Sequence, residues 1–176
     1  MKEQLESFLS AEQISARVDA LAEQIRTDYA GRPLVMVCVL KGSLLFFADL
    51  ARRLGPEVRF DYVAVASYHG GTESSGRVRF MADLSSSIED KDVLLVEDIV
   101  DTGTTMRYLL GVLRERGPSS VEVVTLLDKP SRRTVEVDVR YVGFEIPDVF
   151  VVGYGMDYDE RLRGLPYIAV LRQLPD

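Results

Sequence analysis

The stretch Val93-Leu94-Leu95-Val96-Glu97-Asp98-Ile99-Val100-Asp101-Thr102-Gly103-Thr104-Thr105-Met106 joins an apolar run to a turn rich in acids, threonine and glycine. The run is short and mostly branched, which is typical of a buried strand. The Thr-Gly-Thr-Thr turn opens an amphipathic helix. A turn from a strand into a helix gathers backbone N–H groups and the positive end of the helix dipole at one point. The stretch therefore predicts a phosphate site.

Two adjacent acids beside the turn narrow the choice of ligand. Glu97 and Asp98 would repel a phosphate unless they bind hydroxyls next to it or a metal ion. A phosphate carried by a sugar diol satisfies the turn and the acids together, so we predict a phosphoribose site. The alternative is a turn without a ligand, because Asp, Thr and Gly are common in turns and caps. With Asp101, three carboxylates repel one another at one strand end, which favours a ligand or cation.

Strands and helices alternate along the chain. The predicted strands cover 34–40, 58–67, 78–82, 93–98, 121–127, 137–141, 149–152 and 167–171, and the predicted helices cover 10–30, 44–54 and 104–116. This alternation predicts an α/β fold with a doubly wound, mostly parallel sheet flanked by helices. Such sheets bind ligands beyond the carboxyl ends of their strands, where Lys41, Glu97 and Lys129 fall. We expect one domain over 1–176, with a core at roughly 30–150 and a small hood from the N- and C-terminal segments.

Composition limits the classes of function. A chain of 176 residues that is 47% hydrophobic can bury one proper core. The net charge of −7 argues against broad nucleic-acid binding. A single cysteine, Cys38, allows no disulfide within the monomer. The sequence shows no signal peptide and no long apolar span, so we expect a cytoplasmic protein with no membrane partner.

Several stretches together resemble one family. The segment from Val93 to Met106 resembles the phosphoribosyl-diphosphate-binding motif of type I phosphoribosyltransferases. Further stretches resemble the hypoxanthine(-guanine) branch of that family: Leu40-Lys41-Gly42-Ser43, Ser67-Tyr68, 126–130, 142–148 and 153–158. The resemblance spans nearly the whole chain. It implies transfer of ribose 5-phosphate from phosphoribosyl diphosphate to N9 of a 6-oxopurine, hypoxanthine or guanine, in purine salvage. It also implies Mg²⁺ as the cofactor and a homodimer or homotetramer.

The resemblance implies a role for each matched residue on the donor side. Ribose and phosphate binding falls to Glu97, Asp98, Thr102, Gly103, Thr104 and Thr105, and diphosphate binding falls to Lys41, Gly42 and Arg163. Metal binding falls to Asp157 together with Glu97 and Asp98. The Leu40–Lys41 peptide is expected to be able to turn cis, and the sequence leaves open whether it is cis without a ligand. Without the resemblance, Arg163 reads as a surface arginine in a turn rich in charged residues.

On the acceptor side, the resemblance makes Asp101 the catalytic residue, which handles the proton at N7 of the purine. Lys129, Phe150 and Val151 are the implied purine-binding residues. A lysine ammonium can donate to a 6-oxo group but cannot accept from a 6-amino group, so adenine is expected to be disfavoured. The alternatives are a solvent-facing Lys129 and a core aromatic at Phe150.

Residues 67–77 contain glycines and small polar residues, which are typical of a loop. By resemblance this loop is a lid with Ser67 and Tyr68 at its hinge, and it would keep water from a reactive ribosyl cation. An ordinary hairpin loop is the alternative. The only histidine, His69, belongs to this loop, and we expect it to have no part in proton transfer.

The sequence also bears on three other functions. An RNA-binding regulator with this fold would need a basic face, which the acidic composition does not favour. A pyrimidine or xanthine transferase is the nearest enzyme alternative, and the order of preference among hypoxanthine, guanine and xanthine stays open. A dinucleotide-binding dehydrogenase is excluded because no Gly-x-Gly-x-x-Gly turn follows a strand.

Overall fold

The computed structural model describes residues 2–67 and 78–174. The strands are β1 (Lys2–Leu9), β2 (Leu34–Leu40), β3 (Arg59–Ser67), β4 (Val78–Ala82), β5 (Asp92–Val100), β6 (Ser120–Asp128), β7 (Tyr141–Glu145), β8 (Val151–Val152) and β9 (Ile168–Leu174). The helices are α1 (Ala11–Asp28), α2 (Leu44–Leu54) and α3 (Thr104–Arg114), and a short 3-10 turn covers Pro130–Arg132. In this part of the chain, no helix is both long and apolar enough to cross a membrane.

The main sheet has the strand order β4-β3-β2-β5-β6-β7. Its strands are parallel except β4, which pairs antiparallel with β3. Helices α1 and α2 pack on one face and α3 packs on the other, since their apolar residues belong to two separate core clusters. The predicted doubly wound α/β fold is confirmed.

Strand β5 shows why an unbroken apolar run forms the centre of this sheet. Its side chains alternate between the two faces. Leu94 and Val96 join the core beneath α1 and α2, whereas Val93 and Leu95 join the core beneath α3. Because both faces are covered, every residue of the run has to be apolar. The strand continues beyond the predicted end at residue 98 to Val100. Glu97 and Asp98 therefore lie inside the strand and not at its end.

A separate antiparallel sheet in the order β1-β9-β8 forms the predicted hood. Its strands come from the two ends of the chain, and Leu5 pairs with Leu171. The sequence pattern does not predict a strand over Lys2–Leu9. This segment is charged and mostly exposed, so it lacks the apolar pattern of a core strand.

Helix α1 begins as predicted. The Ser10 hydroxyl accepts from the Gln13 N–H at 3.2 Å, and the Gln13 side chain accepts from the Ser10 N–H at 2.9 Å. This reciprocal capping box satisfies two N–H groups that would otherwise lack a partner. The helix ends at Asp28, shortly before the predicted end at 30.

The prediction of a strand over 137–141 is wrong. Strand β7 begins only at Tyr141, which pairs with Val124. Val137 and Val139 are partly buried against the core beneath α3, without a strand partner. Alternating valines there reflect packing on the core surface. The predicted strand over 149–152 is likewise shorter, because β8 covers only Val151–Val152.

Candidate active site

Two neighbouring cavities open at the carboxyl edge of the main sheet. The first, here called the turn cavity, has a volume of about 270 Å³ and is lined by Gly42, Glu97, Asp98, Asp101, Thr102, Gly103 and Thr105 among others. The second, here called the hood cavity, has a volume of about 220 Å³ and is lined by Asp98, Ile99, Asp101, Lys129, Phe150, Val151, Met156 and Asp157. Asp98, Ile99 and Asp101 line both cavities. Most of the predicted site residues are therefore brought together along one wall. Lys41, Thr104 and Arg163 line neither cavity.

The turn between β5 and α3 depends on a glycine. Gly103 precedes the first residue of α3 with φ of +85°, a conformation that side chains disfavour. A Cβ atom at Gly103 would lie 2.9 Å from the carbonyl oxygen of Val135. Thr105 and Met106 line the turn cavity from the first turn of the helix. N–H groups in a first turn have no acceptor within the helix, so they can bind an anion.

The hydroxyls of the turn are partly used within it. The Thr104 N–H donates to the Thr102 hydroxyl at 3.4 Å, and the two hydroxyls lie 3.3 Å apart. Thr102 lines the turn cavity, whereas Thr104 does not. This arrangement leaves Thr102 and Thr105 as the threonine side chains next to the cavity.

Glu97 and Asp98 have no cationic partner among the described residues. Glu97 is 8% exposed, and its carboxylate accepts from the Asp98 N–H at 3.1 Å. Burial first, and the adjacent charge of Asp98 second, raise the pKa of the Glu97 carboxyl well above its ordinary value of 4.5. A buried, uncompensated acid next to another acid is costly to the fold. It is the kind of feature that a bound ligand or cation would relieve.

Asp101 lies where the two cavities meet, and arginines contact both its side chain and its backbone. Its carboxylate accepts from Arg132 Nε at 3.2 Å, and its backbone carbonyl accepts from Arg133 Nη1 at 2.7 Å. The Asp101 side chain is 41% exposed. Neither arginine was singled out from the sequence, because a pair of arginines after a proline carries no local signal of what it contacts.

Lys129 enters the hood cavity as a buried cation. The residue is only 6% exposed, which excludes the solvent-facing alternative. Its Nζ lies 3.7 Å from Asp148 Oδ1. A buried ammonium with one distant carboxylate retains donors for a ligand oxygen.

The ring of Phe150 is 54% exposed, so it is not a core aromatic. It contacts Tyr158 edge-on, with the ring centroids 5.9 Å apart. Next to it, Val151 is buried in β8, where it pairs with Val170 of β9. The residue just before β8 therefore presents an exposed aromatic ring beside a fixed backbone.

Three backbone segments meet at glycines behind the turn cavity. A Cβ at Gly42 would lie 1.8 Å from Asp98 Oδ2, and a Cβ at Gly155 would lie 1.9 Å from the carbonyl oxygen of Gly42. The Leu40–Lys41 peptide bond is cis. Lys41 itself points outward and pairs with Glu160 at 2.8 Å.

Arg163 ties the far wall of the site together. Its Nη1 donates to the Gly155 carbonyl at 2.8 Å, and its Nη2 lies 2.8 Å from Asp157 Oδ1. Its Nε is buried and has no hydrogen-bond partner among the described residues. The Arg163 side chain is only 26% exposed, so the alternative of a solvated surface arginine does not hold.

The predicted metal ligands do not form a complete cage. The described residues contain no group of three or more His, Cys, Asp or Glu side chains arranged to hold a metal ion. Asp98 and Asp157 both line the hood cavity, and Glu97 lines the turn cavity. Mg²⁺ typically binds through one or two carboxylates together with waters and substrate oxygens. The pair Glu97 and Asp98 on one side and Asp157 on the other fit that mode of binding, because no three of them meet at one point.

The predicted lid falls largely outside the described residues. Ser67 is the last residue of β3. Tyr68, His69 and the rest of the loop up to residue 77 are not described.

Comparison with known proteins assigns the family. The chain matches the phosphoribosyl transferase domain over residues 4–159. The chain belongs to the phosphoribosyltransferase family. It is 50% identical over 167 residues to the hypoxanthine-guanine phosphoribosyltransferase of Staphylococcus aureus, which covers 95% of this chain and 93% of that protein. The resemblance seen in the sequence is confirmed.

Solved structures of phosphoribosyltransferases agree with this assignment. A hypoxanthine phosphoribosyltransferase from Staphylococcus aureus matches with a TM-score of 0.91 at 50% identity, covering 95% of this chain and 91% of that chain. The hypoxanthine phosphoribosyltransferase of Trypanosoma cruzi, in complex with the product IMP, matches with a TM-score of 0.89 at 44% identity, covering 95% and 94%. The chain is therefore an enzyme of the hypoxanthine-guanine branch of the phosphoribosyltransferases, and the regulator alternative is set aside.

Proposed function

We propose that the chain transfers ribose 5-phosphate from phosphoribosyl diphosphate to N9 of hypoxanthine or guanine and releases diphosphate. One observation carries this proposal. A cavity suited to a phosphate and a cavity with a buried cation and an exposed aromatic ring share the wall formed by Asp98, Ile99 and Asp101. A sugar held at that wall would have its phosphate on one side and the base on the other.

The donor would bind mainly through backbone groups and acids. The turn from Thr102 to Thr105 would hold the 5-phosphate through N–H groups and hydroxyls. Glu97 and Asp98 would accept from the ribose hydroxyls, directly or through water on a metal ion. The close contact between Gly42 and Asp98 would keep the diphosphate-binding backbone next to the sugar.

The base would bind through side chains of the hood cavity. The Lys129 ammonium would donate to the 6-oxo group, the Phe150 ring would stack on the purine, and the Val151 backbone would meet its edge. Asp101, which lies between the cavities, would exchange a proton with N7. General acid–base catalysis of this kind contributes about 10²–10⁴-fold.

The leaving diphosphate requires compensation of its charge. Enzymes of this family act on a diphosphate, and we propose that Mg²⁺ assists here through Asp157, Glu97 and Asp98. A bound Mg²⁺ would neutralise charge on the diphosphate oxygens. Arg163 and Lys41 would contribute further positive charge once their present partners, Asp157 and Glu160, engage the metal or solvent.

A further element of the proposal concerns assembly. An exposed apolar face favours a homodimer or homotetramer. Leu44, Phe60 and Tyr62 are 50%, 59% and 48% exposed, and a second copy of the chain would cover them.

A spectrophotometric assay tests the proposal. Purified protein would be incubated with phosphoribosyl diphosphate and Mg²⁺, and with hypoxanthine, guanine, xanthine or adenine in parallel. Turnover is expected with hypoxanthine or guanine and not with adenine. Parallel reactions with EDTA, and with Mg²⁺ restored, test the metal. Absence of turnover with every base would overturn the proposed reaction, and turnover with xanthine alone would overturn the proposed substrate.

A further inference from the structure

The irregular segment after Lys129 contacts the phosphate turn from outside the cavity. The N–H groups of Thr134 and Val135 both donate to the Thr102 carbonyl, at 3.0 and 3.3 Å. The space that a Cβ would need at Gly103 is taken by the Val135 carbonyl and the Arg133 side chain. This segment therefore packs directly against the side of the turn that faces away from the cavity.

Arg133 forms the strongest part of this contact. One of its terminal nitrogens forms an ion pair with Asp128, and the other donates to the Asp101 carbonyl at 2.7 Å. The side chains of Arg133 and Asp128 are only 17% and 10% exposed. A charge-assisted contact that is shielded from water is much more costly to break than a surface ion pair.

Asp128 gives Arg133 a rigid base. It is the last residue of β6 and pairs in register with Val100, the last residue of β5. The Lys129 N–H also donates to the Val100 carbonyl at 3.0 Å. The guanidinium thus spans from a fixed strand end to the backbone of Asp101, just where the chain leaves the sheet.

We propose that Arg133 is a positioning residue of the transfer reaction. It would fix the backbone of Asp101 and the adjoining turn, so that the phosphate site and the proton-handling carboxylate keep one geometry. This inference rests on the proposed function. The planar fork of arginine bonds two acceptors in fixed directions, which a lysine ammonium cannot reproduce. Preorganisation of this kind matters because a displacement of about 1 Å can cost on the order of 10² in rate.

Arg132 differs from its neighbour in what it holds. It contacts the Asp101 carboxylate, and the two side chains are 48% and 41% exposed. An exposed pair of this kind adds little stability, and a substrate can displace it. Arg133 instead holds a backbone atom from a buried side, so substrate binding leaves its contact intact.

The test compares Arg133→Met and Arg133→Lys with the wild type and with the control Arg116→Met. Arg116 forms a two-pronged ion pair with Asp83 at 2.7 and 2.8 Å, beyond the other end of α3. Steady-state rates would give kcat and KM for phosphoribosyl diphosphate and for hypoxanthine. For Arg133→Met we expect KM for phosphoribosyl diphosphate to rise about tenfold or more and kcat to fall about tenfold or more. KM for hypoxanthine should change by less than about threefold, because Lys129 and Phe150 are not held by Arg133.

The lysine variant should recover part of the loss, and Arg116→Met should match the wild type within about twofold. Thermal unfolding of each protein shows whether it is folded. If Arg133→Met does not fold, Arg133→Lys and Asp128→Asn decide the question by the same constants. Wild-type constants in a folded variant would overturn the inference. A lower kcat with both KM values unchanged would also overturn it, because the phosphate site would then keep its geometry without Arg133. An inactive wild type would overturn the proposed function itself, a distinct result.

Discussion

The turn cavity and the hood cavity are adjacent, yet they are built in different ways. The turn cavity is formed largely by one continuous stretch, from Glu97 to Met106. The hood cavity gathers residues from three distant parts of the chain, at Asp98, Lys129 and 150–157. The first depends on backbone geometry and the second on side chains. Substitutions should therefore affect the two cavities through different kinetic constants.

The largest effect is expected at Asp101, where the two cavities meet. Asp101→Asn keeps the shape and removes the proton acceptor, so kcat should fall about 10²–10⁴-fold. KM for phosphoribosyl diphosphate should stay within about threefold, because the backbone of the turn is unchanged. Initial rates with saturating hypoxanthine measure the change. A kcat near the wild-type value would show that another group handles the proton.

A glycine behind the turn cavity should separate backbone from side-chain effects. Gly155→Ala places a Cβ against the Gly42 carbonyl at a position with φ of +103°. The displaced backbone should raise KM for phosphoribosyl diphosphate, on the order of 10²-fold. The matched control is Gly111→Ala, because Gly111 lies within α3 and has nothing within 4 Å of its Cβ position. That variant should retain activity and gain up to about 1 kcal/mol of stability. If the two variants had the same kcat and KM values, the contact between Gly155 and Gly42 would have no role in binding phosphoribosyl diphosphate.

Lys129 tests the hood cavity alone. Lys129→Gln replaces a charged donor with a side chain that can both donate and accept. The kcat/KM for hypoxanthine should fall about 10–10²-fold. The ratio of kcat/KM for hypoxanthine to kcat/KM for adenine should also decrease. Lys91→Gln serves as a control because Lys91 lies just before β5, at the opposite edge of the sheet. If discrimination against adenine is unchanged in Lys129→Gln, Lys129 does not read the 6-position.

The smallest effect concerns stability without ligand. The pKa of Glu97 is raised in the folded state above its ordinary value of 4.5. Above pH 4.5 the folded protein therefore binds more protons than the unfolded chain. The free energy of unfolding consequently falls as the pH rises from 4.5 through the pKa of the folded state. Glu97→Gln should therefore raise Tm of the metal-free protein at neutral pH. Each kcal/mol gained in the free energy of unfolding raises Tm by about 2–4 °C. The gain should vanish below pH 4.5. Thermal unfolding across this pH range, in EDTA, measures it. A lower Tm for Glu97→Gln at neutral pH would contradict the picture of an uncompensated acid.

Local patterns in the sequence were sufficient for most of the main sheet. The bounds of β2, α2 and β4 agree with those predicted, because each element has a distinct apolar pattern and a clear turn at its ends. The capping box at Ser10 and Gln13 was equally local. The turn cavity was predictable for the same reason, since its residues are contiguous.

Features that depend on tertiary contacts were not predictable. Lys2–Leu9 is a strand only because the chain's other end pairs with it. The valines at 137 and 139 alternate as in a strand but pack on the core surface. Arg133 carries no sequence signal at all, because its role depends on Asp128 and Asp101, which the fold brings together. For the hood cavity, the family resemblance supplied what local patterns could not.

A crystal structure with IMP bound would show whether the two cavities hold one nucleotide between them, because IMP joins the phosphate, ribose and base in one ligand. We expect the phosphate to lie within hydrogen-bonding distance of the N–H groups of Thr102 to Thr105. We expect the ribose hydroxyls to lie at Glu97 and Asp98. The purine should lie between Phe150 and Lys129. A phosphate bound elsewhere, with the turn empty and both acids directed to solvent, would contradict it.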